Sequence, residues 1–381
     1  MSHRLAFYIH IPYCLARCGY CDFNTYTPRE LQSDTVRSLS SRYIESAIRE
    51  IELASARVGA AVVPSIFFGG GTPSLMAGTE IASVINTIRD RFELASDAEI
   101  TIEVNPDSVT SEFLALTREA GANRISMGMQ SAKAHVLAAL DRTHSPESVP
   151  RAVELVRSHG YEHCSVDLIY GTPGESIDDW RESVAAALSL KVDHLSAYAL
   201  IVEKGTKLAA RVKSGELIIP PEDETATKYE IVDEMCGEKG FHWYELSNWS
   251  AEGGECRHNI SYWDGSHWWG VGPGAHSYFN GVRWWNVKHP ETYQSKIKEG
   301  KSPMLESEEL SEQNRRDESI MLRIRMREGI PLSDLSPAER ERVGQYLESN
   351  HLDDGAWTQG KLVLTRSGRL IADRIVREIL V

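Results

Sequence analysis

Three cysteines near the start of the chain constrain its fold more than any other feature. Cys14, Cys18 and Cys21 have the spacing C-x3-C-x2-C and come directly after an apolar run at residues 5–12. Soft thiolate ligands select zinc or iron–sulfur clusters. A [4Fe–4S] cluster normally takes four protein thiolates, so a cluster held by three leaves one iron open to a small ligand. The loop therefore predicts a metal centre at the C-terminal end of the first strand.

Zinc is the competing interpretation of this loop. A zinc site would need a distant fourth ligand such as Cys256 or His258. Structural zinc loops usually pair two C-x2-C knuckles, whereas the remaining cysteines of this chain, Cys164 and Cys236 among them, are scattered. The C-x3-C-x2-C spacing with the aromatic Tyr20 before its last cysteine instead resembles the signature of the radical S-adenosylmethionine (radical SAM) superfamily, and this resemblance implies an iron–sulfur cluster.

Bulk properties restrict the class of protein. The 381 residues suffice for one large domain and a smaller one. With 41 basic and 55 acidic residues, the net charge of −14 argues against nucleic acid as the main partner. The sequence shows no transmembrane segment and no signal-peptide core at its start. Because half of the six cysteines share one loop, a secreted disulfide framework is disfavoured and we expect a cytoplasmic protein.

Strand-like and helix-like runs alternate over the first half of the chain. The predicted strands are Leu5–Ile11, Ser65–Gly69, Glu99–Val104, Arg124–Met129, Cys164–Tyr170 and His194–Ile201. The predicted helices lie near residues 36–57, 79–92, 111–120, 145–159 and 176–189. Six such units predict a parallel sheet with right-handed crossovers, and they are too few for a complete eight-fold barrel. We expect an α/β fold built on a partial (β/α)6, TIM-like barrel.

The composition changes twice along the rest of the chain, which predicts three parts. Residues 1–235 form the core domain, residues 236–304 an aromatic-rich connecting segment, and residues 305–381 a small, mostly helical C-terminal domain. The last part, with an apparent hairpin around Lys361–Leu364, resembles a winged helix. Winged helices often bind DNA, but acidic residues are interleaved with its basic run Arg323–Arg327. A solvated helix face or a flap over the site is therefore preferred.

Glycines and polar residues fall at the ends of successive predicted strands. The segment Gly69–Ser74 holds three consecutive glycines, which let a ligand approach the backbone. Glu103, Gln130, Arg142 and Asp167 lie at or near the ends of the next three strands. Because the C-terminal ends of parallel strands share one edge, these side chains should converge on a bound polar cofactor. The carboxylates and the amide suit ribose hydroxyls, and Arg142 suits a carboxylate.

These motifs together resemble the radical SAM superfamily. Within it, the chain resembles the family of oxygen-independent coproporphyrinogen III dehydrogenases (oxidases), which includes heme chaperones of the HemW type. The matching segments are Tyr8–Cys14, Gly69–Ser74, Glu103–Pro106, Asn123–Ser131, Leu140–His144 and Asp167–Gly174. The resemblance implies that Cys14, Cys18 and Cys21 hold a [4Fe–4S] cluster whose open iron is chelated by SAM. It implies a SAM site lined by Tyr8, Tyr20, Gly70, Gly71, Thr72, Glu103, Gln130, Arg142 and Asp167.

Three features distinguish branches of this family, and they favour the heme chaperones. The dehydrogenases carry a fourth cysteine two residues after the triad, whereas Asp22 and Phe23 follow Cys21 here. They also have an N-terminal extension that helps to cover the substrate, whereas seven residues precede Tyr8 in this chain. The third feature is the segment His258–Trp263, which matches the HNxxYW motif proposed to hold heme in HemW-like proteins.

The HNxxYW motif has a plausible chemistry and a competing interpretation. A neutral imidazole is a common ligand of heme iron, and tryptophan faces can pack on a porphyrin. Cys256 stays an alternative axial ligand, and His276 in Gly-Pro-Gly-Ala-His-Ser-Tyr is a further candidate. The competing interpretation makes the motif's aromatic residues part of the core and its histidine a hydrogen-bonding loop residue. The residues expected to contact heme are His258, Asn259, Tyr262 and Trp263.

The sequence thus predicts a heme chaperone that binds a [4Fe–4S] cluster, SAM and heme. Its partners would be heme-accepting client proteins such as respiratory membrane enzymes, which would bring it to the membrane. The cluster and SAM would then regulate or assist heme transfer. The alternative is an enzyme, an oxygen-independent coproporphyrinogen III dehydrogenase, whose radical would abstract hydrogen from propionate side chains.

Overall fold

The computed structural model describes residues 3–380 and contains one large sheet and one small sheet. The strands are β1 (His3–Arg4), β2 (Ala6–Ile11), β3 (Ala61–Gly70), β4 (Glu93–Val104), β5 (Arg124–Gln130), β6 (His163–Tyr170), β7 (His194–Ala199), β8 (His242–Glu245), β9 (Asn248–Ser250), β10 (Trp268–Val271), β11 (His276–Phe279), β12 (Val282–Asn286), β13 (Met304–Glu309), β14 (Ile330–Pro331) and β15 (Lys361–Leu362).

Helices connect the parallel strands and form the C-terminal region. They are α1 (Val36–Val58), α2 (Gly78–Arg91), α3 (Ser111–Glu119), α4 (Ala134–Ala139), α5 (Ser148–Ser158), α6 (Ile177–Ser189), α7 (Lys207–Lys213), α8 (Glu222–Glu238), α9 (Arg257–Trp263), α10 (Pro290–Lys298), α11 (Glu312–Arg323), α12 (Pro337–Glu348), α13 (Asp354–Thr358), α14 (Arg366–Leu370) and α15 (Ala372–Ile379). None of the helices within residues 3–380 is long and apolar enough to cross a membrane.

The large sheet is an open barrel with a parallel centre. Its strand order is β13-β12-β11-β10-β2-β3-β4-β5-β6-β7-β9-β8, with β1 beside β3. All six predicted strands form, and β2 to β7 pair in parallel in chain order. The end strands β13 and β8 do not pair with each other within the described residues, so the barrel is partial, as predicted. The sequence did not predict the short strand β10, which adds a parallel strand beside β2.

Alternation along the parallel strands separates an apolar face from a polar one. In β4, Ile100 and Ile102 are buried in the main apolar cluster together with residues of the surrounding helices. Glu99, Thr101 and Glu103 alternate with them and therefore lie on the concave face. The same pattern places Ser126 of β5 and Asp167 of β6 on that face, where they hydrogen-bond. The concave face is thus polar and suited to a polar ligand.

The C-terminal region has its own apolar cluster, which includes Ile320, Leu362 and Ile379. The strand at Lys361 pairs with Ile330–Pro331, far away in sequence, so the hairpin expected around Lys361–Leu364 does not form locally. The region is anchored to α8 by Arg369, whose guanidinium donates to both carboxylate oxygens of Asp233 at 2.8 Å.

Candidate functional site

The cysteine loop follows β2 at the C-terminal edge of the parallel strands. Its backbone is held by neighbouring segments: the amide of Gly19 donates to the carbonyl of Leu140, and the amide of Leu208 donates to the carbonyl of Gly19. A Cβ on Gly19 would lie 2.3 Å from a carboxylate oxygen of Asp141, so this side chain packs directly against the turn. All three cysteines are half-buried free thiols. The backbone of the loop is therefore fixed by hydrogen bonds, while its thiols stay partly accessible to solvent.

Two polar side chains contact the thiols directly. The Thr72 hydroxyl lies 3.7 Å from the sulfur of Cys14, and a guanidinium nitrogen of Arg142 lies 3.4 Å from the sulfur of Cys18. Burial, with a contribution from the neighbouring thiols, raises the pKa of Cys14 to about 11. The Cys14 thiol is therefore protonated in the metal-free loop, and a bound cluster would take it as the thiolate.

The arrangement of the thiols bears on the choice between zinc and a cluster. Across residues 3–380, no three histidine, cysteine or carboxylate side chains converge as the ligands of one metal ion would. In a [4Fe–4S] cluster each cysteine binds a different iron, so the thiolates need not meet at one point. Three separate thiols on one loop meet that requirement of a cluster.

The glycine loop after β3 packs against the cysteine loop through its backbone. The amide of Gly71 donates to the carbonyl of Ile11 at 2.6 Å, and the amide of Thr72 to that of Tyr13 at 2.8 Å. A Cβ on Gly71 would overlap the Tyr13 carbonyl, and Gly70 has a φ of 102°. Only glycine permits this close approach and this backbone angle.

Two half-buried carboxylates lie on the concave face beneath the glycine loop. Desolvation and the nearby Asp167 carboxylate raise the pKa of Glu103 to about 8, and a hydrogen bond from one backbone amide opposes this shift. That amide belongs to Gly70 and donates at 3.2 Å. Asp167 accepts from the Ser126 hydroxyl at 3.2 Å, yet burial still raises its pKa. Neither carboxylate forms an ion pair within the described part of the chain, so a ligand with positive charge and hydroxyl groups would compensate both.

The Arg142 guanidinium lies at the same rim and is held there by hydrogen bonds to protein groups. It donates to the Asn105 side chain at 3.1 Å and to the Gly128 carbonyl at 3.2 Å. Gln130 ends β5 with a φ of 62°, and its amide nitrogen would lie 2.7 Å from a Cβ on Gly128. Gly128 thus leaves the space that the Gln130 and Arg142 side chains occupy.

Two tyrosines complete this rim. The Tyr8 hydroxyl lies 3.1 Å from Nδ1 of His10, whose Nε2 donates to the Asn24 carbonyl at 2.9 Å. Because a carbonyl only accepts, Nε2 carries the proton and Nδ1 accepts from Tyr8. Burial, followed by the nearby Glu103, raises the Tyr8 pKa. Tyr20 packs beside a small apolar cluster, and burial and the neighbouring thiol of the cysteine loop raise its pKa.

The structure therefore places the predicted SAM residues around one rim beside the three cysteines. Several residues of this site were not predicted from the sequence. They are His10, Asn24, Asn105, Ser126 and Ser196, which support the predicted side chains. The alternation of side chains along the parallel strands, which predicts the concave face, also places Ser126 and Ser196 on that face. No such pattern in the sequence points to Asn24 as a site residue.

The HNxxYW motif forms α9, which packs on the concave face near the opposite end of the strands. Glu99 caps its start: the backbone amides of Arg257 and His258 donate to its carboxylate at 3.0 and 2.9 Å. The His258 ring lies on Phe67, with ring centres 5.1 Å apart. The Asn259 amide donates to Glu245 at 3.2 Å. The helix thus connects β3, β4 and the β8–β9 edge.

Both nitrogens of the His258 ring are engaged by protein groups. Nδ1 is 2.9 Å from the Ser65 hydroxyl and Nε2 is 3.0 Å from the Tyr262 hydroxyl. The side chain is 1% exposed, and burial lowers its pKa to about 3. Cys256 is buried as well and its thiol donates to Glu99. In this conformation neither side chain offers a free donor to heme iron, while Tyr262 and Trp263 are half-buried.

Comparison with known proteins places these features in a family. The profile of the radical SAM superfamily matches residues 8–187. The heme chaperone HemW of Mycobacterium tuberculosis is 49% identical over 373 residues, which cover 98% of this chain and 94% of the relative. HemW of Bacillus subtilis is 35% identical and 97% of each chain is covered. Coproporphyrinogen III oxidase HemN from Escherichia coli shares the fold, with a TM-score of 0.83 over 99% of this chain and 90% of that chain, at 20% identity.

Identity of this extent over nearly the full length agrees with the cysteine loop, the glycine loop and the partial barrel described above. The chain belongs to the HemW family within the radical SAM superfamily.

Proposed function

We propose that this protein is a heme chaperone that binds heme and passes it to client proteins, with a [4Fe–4S] cluster and SAM at the rim of the barrel. The observation that carries the proposal is the near-complete alignment with relatives named heme chaperone HemW, at up to 49% identity. The likeness to HemN concerns the fold and does not by itself favour the dehydrogenase alternative.

The donor set of the cysteine loop fits the cluster. Cys14, Cys18 and Cys21 would hold it, and Thr72 and Arg142 would each donate to a cluster-bound sulfur. When bound, the cluster and SAM supply one-electron chemistry or a regulatory state. The chain's own contribution is to clamp the loop by backbone hydrogen bonds and to provide donors that stabilise thiolates.

The rim of the barrel fits SAM by charge. Glu103 and Asp167 are half-buried carboxylates that form no ion pair within residues 3–380, and SAM brings an ammonium and a sulfonium group as well as ribose hydroxyls. Arg142 would bind its carboxylate. Gly70 and Gly71 are half-buried beside this rim, where the missing Cβ atoms make room for the His10 ring and the Tyr13 carbonyl and let the glycine loop pack on the cysteine loop.

Heme transfer is tested directly with a spectroscopic acceptor. The anaerobically reconstituted protein is loaded with hemin, freed of excess heme, and mixed with apomyoglobin. The proposal predicts that the Soret band of holomyoglobin appears faster than from hemin-loaded serum albumin, a protein that binds heme without a transfer role. Failure to bind hemin, or transfer no faster than from albumin, would contradict the proposal.

A further inference from the structure

We propose that His276 is the axial ligand of heme in this protein, and that heme binds on the aromatic face of β10–β12. This inference rests on the proposed function, because it names where the heme of that function is held. It also separates the heme ligand from the HNxxYW motif, whose histidine is occupied within the protein.

The His276 imidazole differs from that of His258 in being free. It is exposed, and no hydrogen-bond partner of its ring lies within residues 3–380. One face of the ring stacks on Trp285, with ring centres 5.6 Å apart and planes 24° from parallel. Partial burial and the nearby positive charges of Arg283 and Lys288 lower its pKa, so the ring is neutral near pH 7. A neutral, unoccupied imidazole is what heme iron requires.

The backbone around His276 is held in place while its side chain stays free. The Trp268 indole N–H donates to the His276 carbonyl at 3.0 Å. That carbonyl lies over Gly270, where any Cβ would overlap it. The Ser277 hydroxyl accepts from the Gly270 amide at 2.9 Å. These contacts fix the His276 backbone, so that binding would have to order only the imidazole side chain.

The surface around His276 suits a flat macrocycle. Cross-strand pairing places His276 opposite Trp285, and Tyr278 opposite both Trp268 and Arg283, on the same face of the sheet. The rings of Trp268 and Tyr278 are 5.4 Å apart. Half-buried aromatic rings offer apolar faces to a porphyrin while keeping their polar edges in water.

The charges at this face suit the propionates of heme. Arg283 is already paired with Glu308 at 3.0 Å and with Glu318 at 2.6 Å. Lys288 is exposed and forms no ion pair within the described residues, and it acts electrostatically on His276. An exposed lysine close to the imidazole can pair with a propionate when the iron is bound by that imidazole.

The test uses the full-length, cluster-reconstituted protein and hemin as the probe. Hemin is titrated into wild type, His276→Ala and the matched control His267→Ala. His267 is a suitable control because it is also partly buried with a lowered pKa and contacts the neighbouring Phe279, 5.0 Å between ring centres. The Soret spectrum and the low-spin ferric EPR signal report the axial ligand. Circular dichroism and iron content verify folding.

The assignment predicts that His276→Ala weakens hemin binding by at least about tenfold and changes the EPR signal. His267→Ala should behave as wild type. In His276→Gly, millimolar imidazole should restore the wild-type Soret band, a rescue that a purely structural role would not produce. Wild-type affinity and spectra in His276→Ala would overturn the assignment while leaving the chaperone proposal intact. Absence of hemin binding by the wild type would instead contradict the proposed function and the assignment together.

Discussion

The side-chain amide of Asn24 donates to the backbone carbonyl of Lys288 at 2.8 Å, and it also donates to that of Pro273 at 3.0 Å. These bonds join the segment after the cysteine loop to the β10–β11 connection and to the chain after β12. The absence of a Cβ at Gly274 is required, because that atom would lie 2.7 Å from the Asn24 amide. The predicted cluster site and the proposed heme face are therefore physically linked.

Removing this link should loosen both sites. Asn24→Ala removes the side-chain donor to the Pro273 carbonyl and one of the two donors to the Lys288 carbonyl, which the Tyr26 hydroxyl also reaches at 3.3 Å. We expect a loss of about 1 kcal/mol in local stability. Hydrogen exchange of residues 272–288 should accelerate, and the reconstituted cluster should be lost faster to a chelator. Asn86→Ala is a control, since Asn86 only accepts from the neighbouring Arg89 on an exposed helix surface. Unchanged exchange and chelator kinetics in Asn24→Ala would refute the link.

Cluster assembly should depend on the loop cysteines and on no other cysteine. Anaerobic reconstitution of the wild type should yield one [4Fe–4S] cluster per chain, visible by absorbance and by EPR after reduction. Cys18→Ala should abolish it, because only two thiolates are left in the loop. Cys236→Ala, at a buried position of the main apolar cluster, should retain it. Stoichiometric zinc in place of iron and sulfide would contradict the cluster assignment.

The half-buried carboxylate Glu103 should make the ligand-free protein less stable as the pH rises. Its folded-state pKa of about 8 lies above that of an unfolded glutamate, near 4.5. Between these values the folded state binds more protons than the unfolded state, so the unfolding free energy falls with increasing pH. Glu103→Gln should remove this contribution to the pH dependence of the unfolding free energy, and it should weaken SAM binding. Urea titrations from pH 5 to 8 measure the unfolding free energy at each pH.

Glu93→Gln is the matched control for that experiment, because Glu93 is exposed at the start of the same strand. Glu93→Gln should leave both the pH dependence of the unfolding free energy and the SAM affinity unchanged. A Glu103→Gln variant that keeps the wild-type pH slope and SAM affinity would show that the Glu103 carboxyl faces no ligand.

Arg124 should be far more important for stability than a typical surface arginine. It is 1% exposed, donates to the Gly254 carbonyl at 3.0 and 2.9 Å, and lies 3.8 Å from Glu99. Because Arg124→Ala leaves a buried carboxylate without its partner, we expect a loss of about 3–5 kcal/mol. Chemical denaturation measures the change.

The surface pair Arg91–Glu52 provides the comparison for Arg124. Its side chains are 2.6 Å apart but 49% and 43% exposed. Arg91→Ala should cost less than about 1 kcal/mol, because solvent screens an exposed pair. Equal effects of the two substitutions would contradict the role given to the Arg124–Glu99 pair.

The parallel core and its rim were predictable from local patterns. The alternation at Glu99–Val104 identifies a strand with one polar face, and residues such as Glu103 and Asp167 at strand ends meet because parallel strands share an edge. The edges of the sheet were not predictable. Strand β10 is short, and it pairs with β2 at the other end of the chain, a contact that periodicity cannot reveal.

The role of the HNxxYW motif was also beyond local reasoning. Its residues match a motif proposed for heme, but the partners of His258 are Ser65 and Tyr262. Ser65 lies 193 positions earlier in the sequence and reaches the ring only through the barrel. Sequence alone therefore left His258 and Cys256 as the alternative axial ligands, with His276 as a further candidate that was more readily interpreted as structural. The contacts of the His258 ring nitrogens and of the Cys256 thiol are what separate these residues from His276.

A heme chaperone is distinguished from a dehydrogenase by pairing hemin titration with a coproporphyrinogen III turnover assay on the same reconstituted protein. We expect saturable hemin binding and no formation of vinyl groups from coproporphyrinogen III in the presence of SAM and a reductant. Conversion of propionate side chains to vinyl groups, without hemin binding, would contradict the chaperone proposal and identify the protein as a dehydrogenase.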